Sequence, residues 1–394
     1  MNIIFDLVSA QPYSSSVKFN GGAQYVKNVF RQFISENLIY KNLVYCTFDS
    51  KIDLDEEIRT LCLDNDIVLL DVNSQRLEYY AELYNISKVY IGIAQRYLDL
   101  SFNIDVKLIL VVHDLRDLEI FQSVKELVYF TKFNTLKSYI KFFILLCLRG
   151  IWLKYRFNMN YKRYYKLFNL ANKNNLEIWT ASNHTKYILL SQFPFLINVS
   201  IKIFWSPEIL IGQELKVIDT LSNVKFYLLV ASDNWEKNAL KVIESFIKLN
   251  ENKSDKFNLV LLGDLSCTKL NRKIKNEQWI YNYSNVVDAE MEWLYSKAEA
   301  LIYLSYVEGF GYPPVQAMKY GTPILASATS SITEICGTAP LYCCPYSQSE
   351  IFARLVFLVN NDLSEYRGKS HCRYKIINQK QISDLSEMIC HIHS

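Results

Sequence analysis

The sequence predicts an α/β protein built from two doubly wound parallel-sheet domains that face a ligand cleft, and three observations carry that prediction. Short β-branched or aromatic runs, bounded by polar breaks, alternate with helical patterns along the chain. The alternation pauses over residues 204–222, which hold Pro207 and Gly212, and then restarts. A length of 394 residues exceeds one ordinary core and fits two domains of roughly 150–200 residues each. The division is expected to be 1–210 and 211–394, with a hinge near residue 210.

Within 1–210, buried strands are expected at 2–8, 43–48, 66–71, 88–93, 107–112 and 177–181. Between the first two, Val26, Val29, Phe30, Phe33 and Ile34 follow the i, i+3, i+4, i+7, i+8 spacing of a helix with one apolar face. Within 211–394 the strands are expected at 224–231, 258–263, 300–305 and 322–327, with helices near 240–250, 291–298 and 314–320. The last helix is expected to pack back on the N-terminal domain. In doubly wound sheets ligands bind beyond the carboxyl ends of the strands, so residues there are the candidates for function.

Composition excludes several classes. The 43 Lys+Arg against 40 Asp+Glu give a net charge of +3, and half of the residues are apolar, which fits neither a disordered tail nor a uniformly basic nucleic-acid binder. The nine cysteines form no C-x-x-C pair, so they are read as reduced thiols and no metal site is expected. The N-terminal MNIIFDLVSAQ has no positive region before its apolar stretch and reads as a strand rather than a signal peptide. The longest apolar run, 142–153, is broken by Arg149 and Gly150 and is too short for a bilayer that needs about 20 residues.

One segment departs from the rest. Residues 125–173 hold eleven Lys/Arg, thirteen aromatics and a single acid, Glu126, a net charge of +10 that leaves −7 for the remainder. Basic residues interleaved with aromatics suit an anionic membrane surface, and Lys132, Lys137, Lys141, Arg149, Lys162, Arg163 and Lys166 are the candidates for it. A helical pair whose aromatics pack on the domain, or a nucleic-acid or protein partner, remains the alternative.

No G-x-G-x-x-G and no G-x-x-x-x-G-K-[ST] occurs, which weighs against a dinucleotide-dependent dehydrogenase and a P-loop NTPase. Seven of the eleven glycines fall at expected strand–helix turns or helix ends. The densest block is 302–327, IYLSYVEGFGYPPVQAMKYGTPILAS. Its Gly309-Phe310-Gly311 loop exposes backbone N–H groups, Pro313 and Pro314 open a helix, and Gly321 stops it. The N-terminus of such a helix is suited to an anion.

This block resembles the signature of the retaining glycosyltransferases of family 4, which have the GT-B fold of two facing Rossmann-like domains. The likeness continues through 286–290 and 294–300 before it and 330–334 and 339–342 after it. The resemblance implies that Glu308 stands near the donor sugar, and that the Gly309–Gly311 amides and Pro314 lie against the sugar or its diphosphate. Gln316 stands where the family has a second glutamate for the ribose hydroxyls; an amide still offers one acceptor oxygen, weaker than a carboxylate. In 229–246, Lys237 and Asn238 match the family's Lys-Asn at the diphosphate, but no arginine occupies the neighbouring family position. Gly263 resembles the next strand end, near the nucleotide.

In the first domain, Gly21 and Gly22 resemble the family's glycine loop on the acceptor and phosphate side. His113 and Asp114 match its His-Asp pair, His113 facing the donor sugar and Asp114 orienting it. Residues 181–185 resemble a further family segment, in which Ser182 and Thr185 also suit a helix cap. The resemblance therefore implies sugar transfer from a nucleoside diphosphate sugar to a glycan or lipid-linked acceptor, with no cofactor, no metal and no nucleic acid. It further implies a cytoplasmic protein, peripheral on the inner face of the membrane, in O-antigen or capsule assembly. Two rivals stay open here: a GT-B protein that has lost catalysis and scaffolds an active transferase, and another GT-B enzyme such as a sugar-nucleotide epimerase or a phosphorylase.

Overall fold

A computed structural model describes residues 1–12, 21–100, 102, 106–132, 135–172, 175–208 and 215–394, apart from the side chains at 38, 136, 141, 171 and 172. Gly212 and Lys173 lie outside the described residues, as does Asn20 before the glycine pair. The chain divides into two compact units, one of residues 1–115, 159–210 and 378–394, the other of 116–158 and 211–377. By contacts, most of the basic insert counts with the second unit, and the C-terminal 378–394, from the last helix, with the first.

The first unit holds a seven-stranded sheet of β1 (Asn2–Asp6), β2 (Leu43–Phe48), β3 (Val68–Asp71), β4 (Lys88–Ile91), β5 (Lys107–Val112), β6 (Asn175–Thr180) and β7 (Ser200–Ile203). All pairs are parallel, in the order β3-β2-β1-β4-β5-β6-β7, with Ile4 of β1 opposite Tyr45 on one side and Val89 on the other. The order reverses between β1 and β4, which makes that gap the switch point of the sheet. Helix Gly21–Tyr40 covers it, and the five residues picked by helical spacing are all buried. Phe5 stacks on Phe33 at 5.2 Å, so the first strand and the first helix close on aromatic faces.

Met388, Ile389 and Ile392, from the end of helix Ser364–His393, belong to this same core. Lys88, buried under that end, donates to the carbonyls of His391 at 2.9 Å and Ile392 at 3.1 Å. A cation on the last carbonyls of a helix satisfies acceptors that have no partner within it. Burial pushes the Lys88 ammonium down to about 8.

The second unit holds six parallel strands, β8 (Phe226–Leu229), β9 (Asn258–Leu262), β10 (Ile280–Tyr283), β11 (Ala300–Tyr303), β12 (Ile324–Ser327) and β13 (Leu341–Cys343). Their order is β10-β9-β8-β11-β12-β13, so the switch point falls between β8 and β11. The strands not foreseen, β7, β10 and β13, are all sheet edges.

The insert joins this unit for physical reasons. Helix Val124–Phe130 starts with a capping box between Ser123 and Glu126, and its Tyr129 and Phe130 pack against the second core. Glu126 is buried and accepts the Tyr306 hydroxyl at 2.6 Å. Lys125 pairs with Glu244 at 2.7 Å and Lys132 with Asp264 at 2.6 Å. The single acid of the insert is thus one of its anchors. Helices Leu136–Cys147 and Arg149–Phe168 follow, joined through Leu148. All nine cysteines are free thiols, with Cys46, Cys62, Cys336 and Cys343 buried.

Candidate functional site

In the second unit, the loops that follow β8 and β11 meet at the switch point. After β8, the Asn234 side chain accepts from the Glu236 amide at 3.1 Å and opens a single turn, Trp235–Lys237. Asn238 closes that turn with φ +61, a left-handed conformation that asparagine tolerates, and starts helix Ala239–Asn250. Its amide is used internally: the nitrogen donates to Pro345 O at 2.8 Å and the oxygen lies 2.9 Å from the Tyr306 hydroxyl. Asn238 therefore fixes the turn that presents Lys237.

Lys237 donates to a carboxylate oxygen of Glu308 and, at 3.1 Å, to the Tyr303 hydroxyl. Both members of the ion pair are buried, at 13% and 8% side-chain exposure. The Glu308 backbone is clamped from the loop after β12, its N–H donating to Ser330 Oγ at 3.1 Å and its carbonyl accepting from Ser331 Oγ at 2.8 Å. Burial alone would raise the Glu308 carboxyl, but Lys237 and Arg116 beside it outweigh that and hold it below the ordinary 4.5. Arg116 also donates to Glu236 at 2.7 Å. The site is thus a quartet of two cations and two carboxylates, largely removed from water.

Arg116 was not foreseen as part of this site. It sits three residues after His113, but nothing in spacing shows that the chain leaves the first unit there, so its proximity to Glu236 and Glu308 is invisible before folding. Glu236, which with Asn234 occupies one of the two positions where an arginine was looked for, is the residue that holds it.

The glycines are shaped by close approach. At Gly263, φ +149, a Cβ would lie 2.6 Å from Asp233 Oδ1 and 2.7 Å from the Asp233 nitrogen, so a side chain would push the β8 loop away. Gly311, φ +94, precedes helix Tyr312–Lys319, and a Cβ there would strike Ile332 at 2.7 Å. Gly309, Phe310 and Pro314 are buried in the same loop and first turn. Gln316 is buried on that helix, and its amide oxygen has no hydrogen-bond partner among the described residues.

In the first unit, His113 and Asp114 follow β5. The His113 ring meets Tyr25 edge-on at 4.7 Å, and its Nε2 lies 3.0 Å from the Gly92 carbonyl at the end of β4. Tyr25 belongs to the first turns of helix Gly21–Tyr40, so the helix opened by Gly21 and Gly22 and the β5 loop reach the same edge of the sheet. The Asp114 carbonyl accepts from Gln95 at 2.6 Å. Buried Asp6, its carboxyl raised by burial, ties the edge together by accepting from the amides of Ser9 and Gly92, each at 3.2 Å, and from Tyr97 at 2.6 Å. Ser182 caps helix Asn183–Gln192 through the Thr185 amide at 3.2 Å, and Thr185 donates to the His113 carbonyl at 3.2 Å.

The basic candidates separate into two groups. Lys132 pairs with Asp264, Arg149 donates to the Gln122 carbonyl, and Arg163 reaches Asp99 at 2.7 and 3.3 Å. Lys137, Lys162 and Lys166 are exposed and have no ion pair among the described residues, while the Lys141 side chain lies outside them. Among the described residues no group of three His, Cys, Asp or Glu is placed to hold a metal ion.

Residues 213–369 match the family model described as glycosyl transferases group 1. Over 86 residues the chain is 34% identical to O-antigen chain mannosyltransferase B of Escherichia coli, covering 22% of this chain and 23% of that protein. Over 128 residues it is 32% identical to O-antigen chain mannosyltransferase RfbU of Salmonella typhimurium, covering 30% and 34%. The matched stretches thus span about a quarter and a third of these relatives. Among solved structures it is similar to Anabaena HepE in complex with UDP and glucose, with a TM-score of 0.64 at 12% identity, covering 100% of this chain and 99% of that one. It is also similar to WaaG, a glycosyltransferase involved in lipopolysaccharide biosynthesis, at 0.59, 13%, 100% and 99%. The fold is GT-B, and residues 213–369 are similar to the glycosyl transferases group 1 model.

Proposed function

From that similarity as the premise, we propose that the protein transfers a hexosyl group, with retention, from a nucleoside diphosphate sugar to a hydroxyl of a glycan or lipid-linked acceptor. The setting we propose is bacterial surface-polysaccharide assembly of the O-antigen or capsule kind. The observation that carries this reading is the buried Lys237–Glu308 pair at the β8/β11 switch point, inside the matched segment. The crevice beyond such a switch point is where doubly wound sheets take nucleotides.

In this reading the anomeric C–O bond to the diphosphate breaks, the diphosphate leaves with the electron pair, and the acceptor oxygen bonds to the same face of the sugar. The acceptor proton passes to the leaving phosphate oxygen. Lys237 and Arg116 take the growing phosphate charge, together with the Gly309–Gly311 amides and the helix start at Pro314, as preorganised donors do when charge develops. Glu308 accepts from sugar hydroxyls once the diphosphate competes for Lys237. A buried acceptor without a partner costs about 1–3 kcal/mol, and a ribose hydroxyl on Gln316 would remove that cost. His113, steered by the Gly92 carbonyl and Tyr25, stands at the first unit's own sheet edge, with Asp114 beside it and the helix start at Gly21 and Gly22 on the same edge.

The scaffold reading rests on the substituted glutamate and the missing arginine, and Arg116 weakens its second argument. The test is a screen of UDP, GDP and CMP sugars by thermal shift, followed by transfer or slow hydrolysis of the donor that stabilises the protein. GDP-mannose comes first because the two relatives are named mannosyltransferases, and UDP-glucose second because of the HepE complexes. A protein stabilised by no nucleotide sugar, or one that binds a donor without ever turning it over, sinks the enzymatic reading.

A further inference from the structure

One tyrosine joins the insert to both halves of the charged site, and every group it touches belongs to the second unit. Tyr306 follows β11 and leads, two residues on, into Glu308. Its backbone N–H donates to the Glu236 carbonyl at 3.0 Å, so the Trp235–Lys237 turn is held at its middle residue. Its hydroxyl lies 2.9 Å from Oδ1 of Asn238, the left-handed residue that closes the same turn. Lys237 stands between these two attachments, with its ammonium on Glu308.

The hydroxyl is fixed from two further directions. Glu126, on helix Val124–Phe130, accepts its proton through Oε1 at 2.6 Å, and Lys241 donates to it at 2.9 Å. The other carboxylate oxygen of Glu126 accepts from the Ser123 amide at 2.7 Å, while Lys241 and the Asn238 amide both donate to the Pro345 carbonyl, at 3.1 and 2.8 Å. A phenol has one proton and here faces two acceptors, so the shorter contact, to the carboxylate, directs it. Tyr346 stacks on the Tyr306 ring at 5.1 Å and Trp235 lies at 6.1 Å, so the ring is held by packing independently of its hydroxyl. Glu126 and Tyr306 are both buried. Taking a carboxylate out of water is costly, and Tyr129 and Phe130 already dock this helix on the second core by apolar contact, so docking alone does not account for the acid.

We infer that Glu126 and Tyr306 are positioning residues for the transfer: Glu126 aims the Tyr306 hydroxyl, and Tyr306 sets the Trp235–Asn238 turn so that the Lys237 ammonium stands where the leaving diphosphate gathers charge. Both act through Lys237 rather than on the substrate. The inference rests on the transferase reading for its reaction, while the placement of Lys237 against Glu308 can be read with no substrate present. Preorganised charge acts through its position, and a shift of about 1 Å arising far from the reacting atoms costs on the order of 10²-fold in rate.

Two measurements on the full chain test it. With the donor that the wild type turns over, Tyr306→Phe is expected to lower kcat by about 10–100-fold and to move the donor KM by less than about threefold, because the lost placement matters in the transition state. Glu126→Leu is expected to behave likewise, and Glu126→Gln, which keeps an acceptor for the phenol and the capping box, to return kcat to within about threefold of the wild type. Added to Lys237→Ala, Tyr306→Phe should lower kcat by less than about twofold further, since its effect runs through that ammonium. Without substrate, NMR of the isotope-labelled Glu308 carboxyl carbon, assigned by its loss in Glu308→Gln, reads where Lys237 stands. Burial raises this carboxyl and Lys237 lowers it, so its titration should move to higher pH in Tyr306→Phe and Glu126→Leu but not in Glu126→Gln. A folded Tyr306→Phe protein that keeps the wild-type kcat, or in which the Glu308 titration does not move, overturns the inference, as does an equal loss of kcat with and without Lys237. If the wild type turns over no nucleotide sugar, the transferase reading falls, and the Glu308 titration by itself decides whether Tyr306 positions Lys237.

Discussion

Two clusters of cations in this protein use charge in opposite ways. Around β8 and β11, Arg116 and Lys237 are held against Glu236 and Glu308, so every charge has a partner and the pair at the centre is buried. On helices Leu136–Cys147 and Arg149–Phe168, Lys137, Lys162 and Lys166 have no ion pair among the described residues and stand next to exposed apolar side chains. Buried ions persist only when paired, because the desolvation of an unpaired charge costs several kcal/mol. Exposed ions carry no such requirement and remain available to an outside surface. The comparison teaches that the number of basic residues says little by itself, whereas their pairing separates a buried, internally neutralised cluster from an exposed one without ion pairs among the described residues.

The largest effects should come from breaking the buried pair. Lys237→Ala is expected to lower kcat/KM for the donor by about 10²–10³-fold, the scale of removing one preorganised donor. Glu308→Gln should also cost roughly 3 kcal/mol of stability at pH 7, because it leaves Lys237 buried beside an amide. The sign with pH follows from the depressed carboxyl. Its stabilisation is complete above the unfolded value of 4.5 and is lost as pH falls through the lower folded value. Denaturation of the wild type and Glu308→Gln should therefore differ most at pH 7 and converge under acid; a gap that widens below pH 4.5 would show that Lys237 does not stabilise the carboxylate.

Arg116 sharpens the same comparison, since it belongs by sequence to the neighbourhood of the insert and by pairing to the buried site. Arg116→Ala is expected to raise the donor KM and lower kcat/KM by about 10–100-fold, and Arg116→Lys to restore only part of it, because an ammonium cannot make the planar fork. If Arg116 merely braces Glu236, the lysine variant will match the wild type in both constants. Gln316→Glu is a smaller change: the acid should keep or tighten donor binding by no more than about tenfold, as a charged acceptor does against a neutral one. A clear loss of nucleotide affinity in isothermal titration would show that the amide nitrogen has a partner of its own.

How far the sequence went is instructive at particular residues. The central strands were legible because both faces are covered, which makes them continuous apolar runs such as LILVV in β5. The three missed strands are edges, where one side lacks a neighbour and the apolar run shortens: SIKI in β7, IYNY in β10, LYC in β13. Lys237, Glu308 and the Gly309–Gly311 loop were legible because a local motif carries them. Arg116 and the division of the insert were not, because they depend on contacts such as Glu126 with Tyr306, 180 residues apart in sequence.

Lys132 is where the comparison is most easily broken, and the expected effect is the smallest. By composition it belongs with the lysines of those two helices, and counting charges would place it on the membrane. In the fold it pairs with Asp264 at 2.6 Å, at the surface, and this holds the Asp264 carboxyl down at about 2. An exposed pair of this kind is screened by water and salt, so Lys132→Gln should change stability by less than about 0.5 kcal/mol. Its effect on flotation with anionic vesicles should be equally slight, because its charge already faces a carboxylate, whereas Lys162→Gln removes a charge with no ion pair among the described residues. Flotation of the two single variants side by side reads the difference directly. If Lys132→Gln releases the protein as fully as Lys162→Gln does, total charge rather than pairing governs the surface, and the division drawn between the two clusters fails.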